Sequence, residues 1–582
     1  MSSRADRRSE GRRQRAGARA TPGADLAQRV RAQAGTGLDW RTWAGAALIV
    51  VAAVVVYAPA LRGPFVFDDI LLLSDNPLVK VADGPYRFWF TTEAVDYWPV
   101  TNTSFWIEWH LWGAQPIGYH LTGLLLHIAI ALLIWRVLHR LAIPGAWLAA
   151  LLFTVHPLNV ETIAWIAQRK SQLAALLCLL SVLAFLRAEE PPPLSHHSRP
   201  VMNRWYWLSL AACALAMLSK VSAAIVPPVL LLVVWWMRPL SRRDVERIVP
   251  FFAVVLVLLW VNLWFRSRGI APPVVDHPSP LDRVLGAAGV VWFYLSKALV
   301  PIDLSLMYPD WHVHAAELRW WLALAAAALV TAALWWFRTT WSRPLLFAWL
   351  FFCGTLFPVM GFTDVGVGQH IVVADHYAHL ALISVVAVAG AGFALWRGRL
   401  RASLHWVPIA CAAVIVGALA ALARQQSTLY ADGVTLYEDT LRKNPDAWIA
   451  HNNLGSLLFD AGRLPEAEAH FQRALELNEV YAEAHDNLGN VLQRTNRNAA
   501  AIEHYRRALE IRPTYALAHN NLGVALVGTG NLDEAIAHFQ RALALKSDYQ
   551  EARDNLTLAQ ALKQAAETGG TVTIPAQRDA GQ

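Results

Sequence analysis

Apolar runs of membrane length alternate with short, mostly basic segments from about residue 43 to residue 423. A helix crossing a bilayer needs about 20 largely apolar residues. The pattern predicts such helices near 43–61, 119–138, 205–219, 223–237, 248–265, 319–337, 344–360, 379–396 and 405–423. A shorter apolar pair, near 145–157 and 172–187, is joined by the segment running from His156-Pro157 to Lys170. Basic loops favour the cytoplasmic side. His139-Arg140, residues 238–247, residues 338–343 and Arg397-Gly398-Arg399-Leu400-Arg401 all meet that rule if the apolar stretch 284–300 does not cross. That stretch contains Gly286, Gly289 and Lys297 and stops at Pro301, so it reads as an in-plane helix. The pattern therefore predicts about eleven spans, with the N-terminus inside and the C-terminus outside. The arginine-rich segment 1–42 has no apolar core near its start. It reads as a cytoplasmic tail before a signal anchor, not as a cleavable leader.

From residue 424 the pattern changes to helices rich in Ala, Leu, Asn, Glu and Arg. His451-Asn452-Asn453-Leu454-Gly455 returns as His485-Asp486-Asn487-Leu488-Gly489 and as His519-Asn520-Asn521-Leu522-Gly523, and Arg553-Asp554-Asn555-Leu556 keeps the phase. The 34-residue spacing is the tetratricopeptide period of paired helices. Small residues (Ala467, Ala474, Ala501, Ala508, Ala535, Ala542) and aromatic ones (Phe471, Tyr505, Phe539) fill the expected positions. The chain thus divides into a basic tail (1–42), a multi-span domain (43–423), a repeat solenoid (424–567) and a disordered tail (568–582). Asn453, Asn487, Asn521 and Asn555 share one phase, a ladder suited to holding an extended acceptor peptide by its backbone.

Composition sharpens this division. Hydrophobic residues make up 56% of the chain and charged ones 16%, with 27 Trp, which excludes a soluble enzyme of this length. The net charge of +7 comes from tail and loop arginines, so it fits membrane topology and implies no nucleic-acid partner. Cys178, Cys213, Cys353 and Cys411 all lie in apolar runs without metal or disulfide spacing. The long first outer loop, 62–118, is aromatic and reads as an amphipathic segment on the membrane surface, in contact with lipid.

The candidate chemistry begins at Phe65-Val66-Phe67-Asp68-Asp69, just past the first span. Two adjacent carboxylates at a membrane boundary are costly to hold without a role. Transfer of a sugar from a lipid-linked phosphate to a hydroxyl needs a base, and a carboxylate in a low-dielectric site supplies one. It also needs cations for the leaving phosphate, and Arg169, Lys170 and Lys220 are the outward-facing candidates. Asp69 is the first choice as base and Asp68 the alternative.

These residues also carry a resemblance. The Phe65–Asp69 motif with Asn76, Trp98-Pro99-Val100-Thr101-Asn102, Gly118-Tyr119-His120 with His127, and Phe153-Thr154-Val155-His156-Pro157-Leu158-Asn159-Val160-Glu161 running on to Gln168-Arg169-Lys170 are similar to segments of the transmembrane and tetratricopeptide-repeat protein family. That family resembles the GT-C superfamily of multi-span glycosyltransferases. The resemblance implies an all-α fold, with a GT-C-like membrane domain followed by the repeat solenoid. It also implies protein O-mannosylation from a polyprenyl-phosphate sugar on the periplasmic or luminal face. It implies an essential acid at Asp68 or Asp69 and a second acid at Glu161; together with the clamp candidates above, Arg169, Lys220 and His376 are expected to hold the donor phosphate. His376 in Ala374-Asp375-His376-Tyr377 stands where the family often has Arg, so a clamp there requires a protonated imidazole. Trp98 replaces an Arg and Met307 an acid. No cofactor is required by this reading, and a divalent metal is left open. The competing readings are a membrane-anchored repeat scaffold for envelope complexes and a lipid-transport accessory.

Overall fold

The structure is a computed structural model that describes residues 39–189, 202–268, 279–362 and 373–568. The expected basic tail, apart from its last residues, and the chain from 569 onward lie outside the described residues. All regular elements among the described residues are helices, in two compact units, 1–432 and 433–582.

In the first unit α1 is Trp40–Tyr57, and the first loop carries α2 (Gly84–Phe90) and α3 (Pro99–Trp112). There follow α4 (Pro116–Arg140), α5 (Ala146–Thr154), α6 (Val160–Ala164), α7 (Arg169–Ala188), α8 (Arg204–Ser219), α9 (Val226–Met237) and α10 (Arg242–Arg266). The unit closes with α11 (Pro280–Leu299), α12 (Leu318–Trp336), α13 (Arg343–Leu356), α14 (Leu382–Arg399) and α15 (Trp406–Leu429). Every one of the eleven predicted spans is occupied by helix. Among the described residues seven helical stretches are long and apolar enough to cross a membrane, or eight if the bent pair Ala146–Thr154 and Pro157–Ala164 counts as one span. The pair bends because Pro157 has no N–H to continue the ladder and forces His156 into extended backbone, φ −77 and ψ 128.

α8 has 16 residues. At about 1.5 Å per residue it is shorter than a bilayer core of about 30 Å. It forms a hairpin with α9. At the open end, Tyr206 Oη donates to the Arg247 carbonyl (2.8 Å) and Trp236 Nε1 to that of Leu141 (3.1 Å). At the tip, Thr101 Oγ1 donates to the Ser219 carbonyl (3.1 Å). The basic segments therefore gather at one end of the bundle. Arg343 reaches the Trp235 carbonyl there (2.6 Å), and Arg238 joins Asp244 (2.6 Å) and Glu189 (2.9 Å). The first loop and the Lys220 turn sit at the other end.

α11 shows why the stretch 284–300 breaks the parity count if it is made to cross. Near its start Arg283 donates to the Gly361 carbonyl, 2.7 Å, beyond the first-loop end of α13. Near its finish the Ala298 carbonyl receives His156 Nε2, 3.1 Å, again at the first-loop end. Both ends are tied to one end of the bundle, so α11 lies across it. Where α5 meets α14, Gly145 has φ +71, and a Cβ there would stand 2.1 Å from the Gly390 carbonyl oxygen. Only glycine allows that approach.

The second unit is a stack of helix pairs: α16 (Gly433–Lys443), α17 (Trp448–Asp460) with α18 (Leu464–Leu477), α19 (Ala482–Arg494) with α20 (Asn498–Ile511), α21 (Ala516–Gly528) with α22 (Leu532–Leu545), and the closing α23 (Gln550–Thr568). The repeated glycine exists for the aromatic residue 16 positions later. A Cβ at Gly455, Gly489 or Gly523 would fall 2.6–2.7 Å from the ring of Phe471, Tyr505 or Phe539. Those rings and all six predicted alanines are buried between the helices.

Candidate functional site

The site is built at the first-loop end, and its first part is a strained turn. Phe67 has φ 51, the left-handed region, which costs a residue with a Cβ about 1–2 kcal/mol. Its ring packs on Trp165, centroids 5.5 Å apart. The turn separates the two acids. Asp69 is 0% exposed, with Oδ2 accepting from the Val66 N–H (3.1 Å) and Oδ1 from the Ala167 N–H (2.6 Å). It pins the first loop to the 3-10 turn Ile166–Gln168. Burial pushes its carboxyl up to about 8, against the pull of those two N–H groups. The Asp68 side chain keeps 35% exposure and faces Lys170 Nζ at 3.8 Å. Burial also raises Asp68, and the Lys170 charge opposes that. Asp68 is thus the acid with oxygens open to a ligand, although Asp69 was the sequence-based first choice.

Arg169 and Lys170 are consecutive on the first turn of α7 and point about 100° apart. Arg169 is 2% exposed; it donates to Glu108 Oε2 (2.6 Å) and to the Tyr119 carbonyl (2.8 Å). Expected to hold donor phosphate, it instead ties α7 to α3 and α4 through a buried ion pair. Lys170, itself buried, faces the other way, beside Asp68 and 4.4 Å from the centroid of the Trp98 ring. Trp98 thus forms an aromatic wall under the ammonium.

Lys220 occupies the hairpin tip. Its ammonium donates to Ser171 Oγ (2.8 Å) and lies 5.5 Å from the Tyr377 ring centroid, with no carboxylate in ion-pairing range among the described residues. Burial, and then the Lys170 charge, bring its pKa down to about 7.

Glu161, on α6, and His376 form one unit. Glu161 Oε2 accepts from the His376 backbone N–H (3.0 Å), and Oε1 from His376 Nδ1 (2.9 Å). Burial pushes the Glu161 carboxyl up to about 8, against the pull of the His376 and Asp375 N–H groups and the Lys220 charge; in its ionised form it can only accept, and Nδ1 then carries the proton. Burial, with the charges of Lys220 and Lys170, holds the imidazole well below its usual range. A neutral ring with Nδ1–H committed has only a lone pair at Nε2. That does not suit a phosphate oxygen, so the expectation of a protonated clamp at His376 is not met. Glu161, expected as a second acid, holds the short helix Asp375–Ala378 in place. In that helix Asp375 also accepts from Tyr308 Oη, 2.7 Å.

The asparagine ladder forms in the repeats, but its amide N–H groups are committed. Asn453 donates to Tyr437 Oη (3.2 Å), Asn487 to Asn452 Oδ1 (2.9 Å), Asn521 to Asp486 Oδ1 (3.1 Å) and Asn555 to Asn520 Oδ1 (3.0 Å). The last three bonds run from one repeat to the one before it. Among the described residues no donor reaches the amide oxygens of Asn487 and Asn521. Asp486 is 0% exposed, and burial raises it to about 7. Asn521→Leu is therefore expected to strand Asp486 and destabilise the solenoid by about 1–3 kcal/mol, seen as a lowered thermal midpoint of the full chain. Asn487→Leu is expected to cost less, because Asn452 is a neutral partner.

Glu108, Ser171, Trp165 and Tyr308 are parts of the site that the sequence did not single out. Glu108 carried a readable signal, as the one acid on the aromatic helix α3. Among the described residues no three His, Cys, Asp or Glu side chains gather as metal ligands.

The tetratricopeptide repeat family model matches residues 446–514 and 481–548. Over 197 residues the chain is 34% identical to the human "Protein O-mannosyl-transferase TMTC4", covering 29% of this chain and 26% of that protein. Over 459 residues it is 22% identical to the Caenorhabditis elegans "Protein O-mannosyl-transferase F38B6.6", covering 75% of this chain and 63% of that one. Among solved structures, MamA aligns at 24% identity over 25% of this chain and 84% of its own, with a TM-score of 0.22. The alignments span about a quarter of the human relative and under two thirds of the nematode one. These relatives support the motif resemblance to the transmembrane and tetratricopeptide-repeat proteins.

Proposed function

We infer that this chain is a membrane glycosyltransferase. It moves a sugar, mannose by the names of its relatives, from a polyprenyl-phosphate carrier to a protein hydroxyl. The observation that carries the reading is the meeting, at one end of the bundle, of an open carboxylate, Asp68, and an ammonium without a carboxylate partner, Lys220. The acceptor hydroxyl attacks the anomeric carbon while the bond from that carbon to the phosphate oxygen breaks. Asp68 takes the hydroxyl proton. Lys220, with Lys170 nearby, stabilises the charge left on the phosphate. Asp69, Arg169 and Glu161 hold these groups in place. The repeats recruit the acceptor, through the open amide oxygens of the ladder. The site end is the periplasmic or luminal face, opposite the basic loops.

The Lys220 ammonium gives this reading a pH signature. Burial and the Lys170 charge bring its pKa down to about 7. Above that pH the side chain is mostly neutral, so binding a phosphate must take up a proton. Affinity for polyprenyl-phosphate mannose is expected to fall as pH rises from 7 to 9, by up to about tenfold per unit. Calorimetry in two buffers of different ionisation enthalpy measures the proton uptake. Lys220→Met should weaken binding at pH 7 and flatten the dependence. A steep dependence surviving in that variant would remove Lys220 from the phosphate site.

A further inference from the structure

The inference concerns what the Glu161–His376 unit recognises, and it rests on the transfer reading above. Three observations meet there. First, His376 Nδ1 is hydrogen-bonded to Glu161 Oε1 at 2.9 Å, and no protein partner for Nε2 stands among the described residues. The ionised carboxylate, held by the backbone N–H groups of Asp375 and His376, sets the tautomer, and Nε2 is then left as an acceptor. Second, Trp165 stands edge-on to this imidazole, ring centroids 5.7 Å apart and planes at 77° to each other, and it is 5% exposed. Its Nε1–H is buried without a hydrogen-bond partner, a donor that a native structure rarely leaves unmet. Third, the Tyr377 ring lies 4.3 Å from the imidazole centroid and 5.5 Å from the Lys220 ammonium, so this corner adjoins the cation assigned to the phosphate.

A lone acceptor on one ring and a lone donor on the ring packed against it suit a hydroxyl, which both donates and accepts. They do not suit a phosphate oxygen, which only accepts and would face the Nε2 lone pair. We propose that His376 Nε2, oriented by Glu161, and Trp165 Nε1–H together bind one hydroxyl of the donor sugar, and so determine which sugar the site takes. Glu161 is then a positioning residue. Its replacement by Gln removes the charge that sets the tautomer and lets the ring present a donor at Nε2.

The test measures binding of polyprenyl-phosphate mannose, and of its 2-, 3-, 4- and 6-deoxy forms, to the full chain in lipid nanodiscs without acceptor. The wild type is expected to lose about tenfold or more in affinity for one deoxy donor, since an unmet buried polar group is costly. His376→Ala should weaken the parent donor by a similar factor and lose nothing further with that deoxy donor. Trp165→Phe, which keeps the ring and deletes the donor, should lose affinity at the same sugar position. Glu161→Gln should erase the discrimination while His376 remains. If every deoxy donor binds the wild type as well as the parent, or if His376→Ala weakens the parent and all deoxy donors by one common factor, the proposal is overturned and the transfer reading stands. If the wild type binds no polyprenyl-phosphate mannose at all, the transfer reading itself falls.

Discussion

Asp68→Asn should lower sugar transfer by about 10²–10⁴-fold, the usual worth of a general base, while leaving thermal stability and donor binding close to wild type. The expectation rests on exposure. The Asp68 side chain keeps about a third of its surface and faces the Lys170 ammonium at 3.8 Å. The amide fills the same volume but cannot take a proton. Asp69→Asn should behave differently. Both Asp69 oxygens accept backbone N–H groups, and an amide offers one acceptor and one clashing donor in their place. The expected result is a loss of about 1–3 kcal/mol of stability, with transfer falling alongside. Kinetics and melting curves on the two variants separate a base from a structural pin. If Asp68→Asn transfers normally, the assignment of the base is wrong.

The second large effect concerns Arg169. Removing one member of a buried ion pair costs about 3–5 kcal/mol, because the other charge is left unpaired. Glu108 is 4% exposed, its Oε2 meets Arg169 Nη1 at 2.6 Å, and its Oε1 has no other partner. Arg169→Met should therefore unfold or strongly destabilise the first unit, and Glu108→Gln should do the same. Arg169→Met with Glu108→Leu should recover much of the loss, since an apolar replacement of both members is often close to neutral. If Arg169 instead held the donor phosphate, the single variant would melt normally and bind donor weakly, and the double variant would rescue nothing. Melting temperature and donor affinity on the same three proteins distinguish the two roles.

These contrasts show what sequence carries and where it stops. The acids at the first span boundary, the in-plane stretch 284–300 and the 34-residue repeat were legible, because each is a one-dimensional pattern of polarity or spacing. Gly286, Gly289 and Lys297 marked α11 as a poor span, and contacts near both of its ends reach the first-loop ends of neighbouring helices. The division of labour between Asp68 and Asp69 was not legible. It depends on the left-handed backbone at Phe67, which no residue type at that position demands. Arg169 and Lys170 could not be told apart for a related reason. Neighbours on a helix face different ways, and only the packing of α3 and α4 decides which one meets Glu108. The role of His376 depended on a tautomer set by Glu161, some two hundred residues away in the chain. The asparagine ladder was visible as a period, but the side on which each amide would be used was not.

The central claim is sugar transfer from a lipid phosphate at the Asp68 end of the bundle. The most direct test uses the purified full chain in nanodiscs, polyprenyl-phosphate mannose, and envelope proteins from cells lacking this chain as acceptors. Polyprenyl phosphate release and protein-bound hexose are measured together by mass spectrometry. The account predicts equal molar release and incorporation by the wild type, and neither by Asp68→Asn. A folded wild type that binds the donor yet leaves it intact in the presence of these acceptors would contradict it.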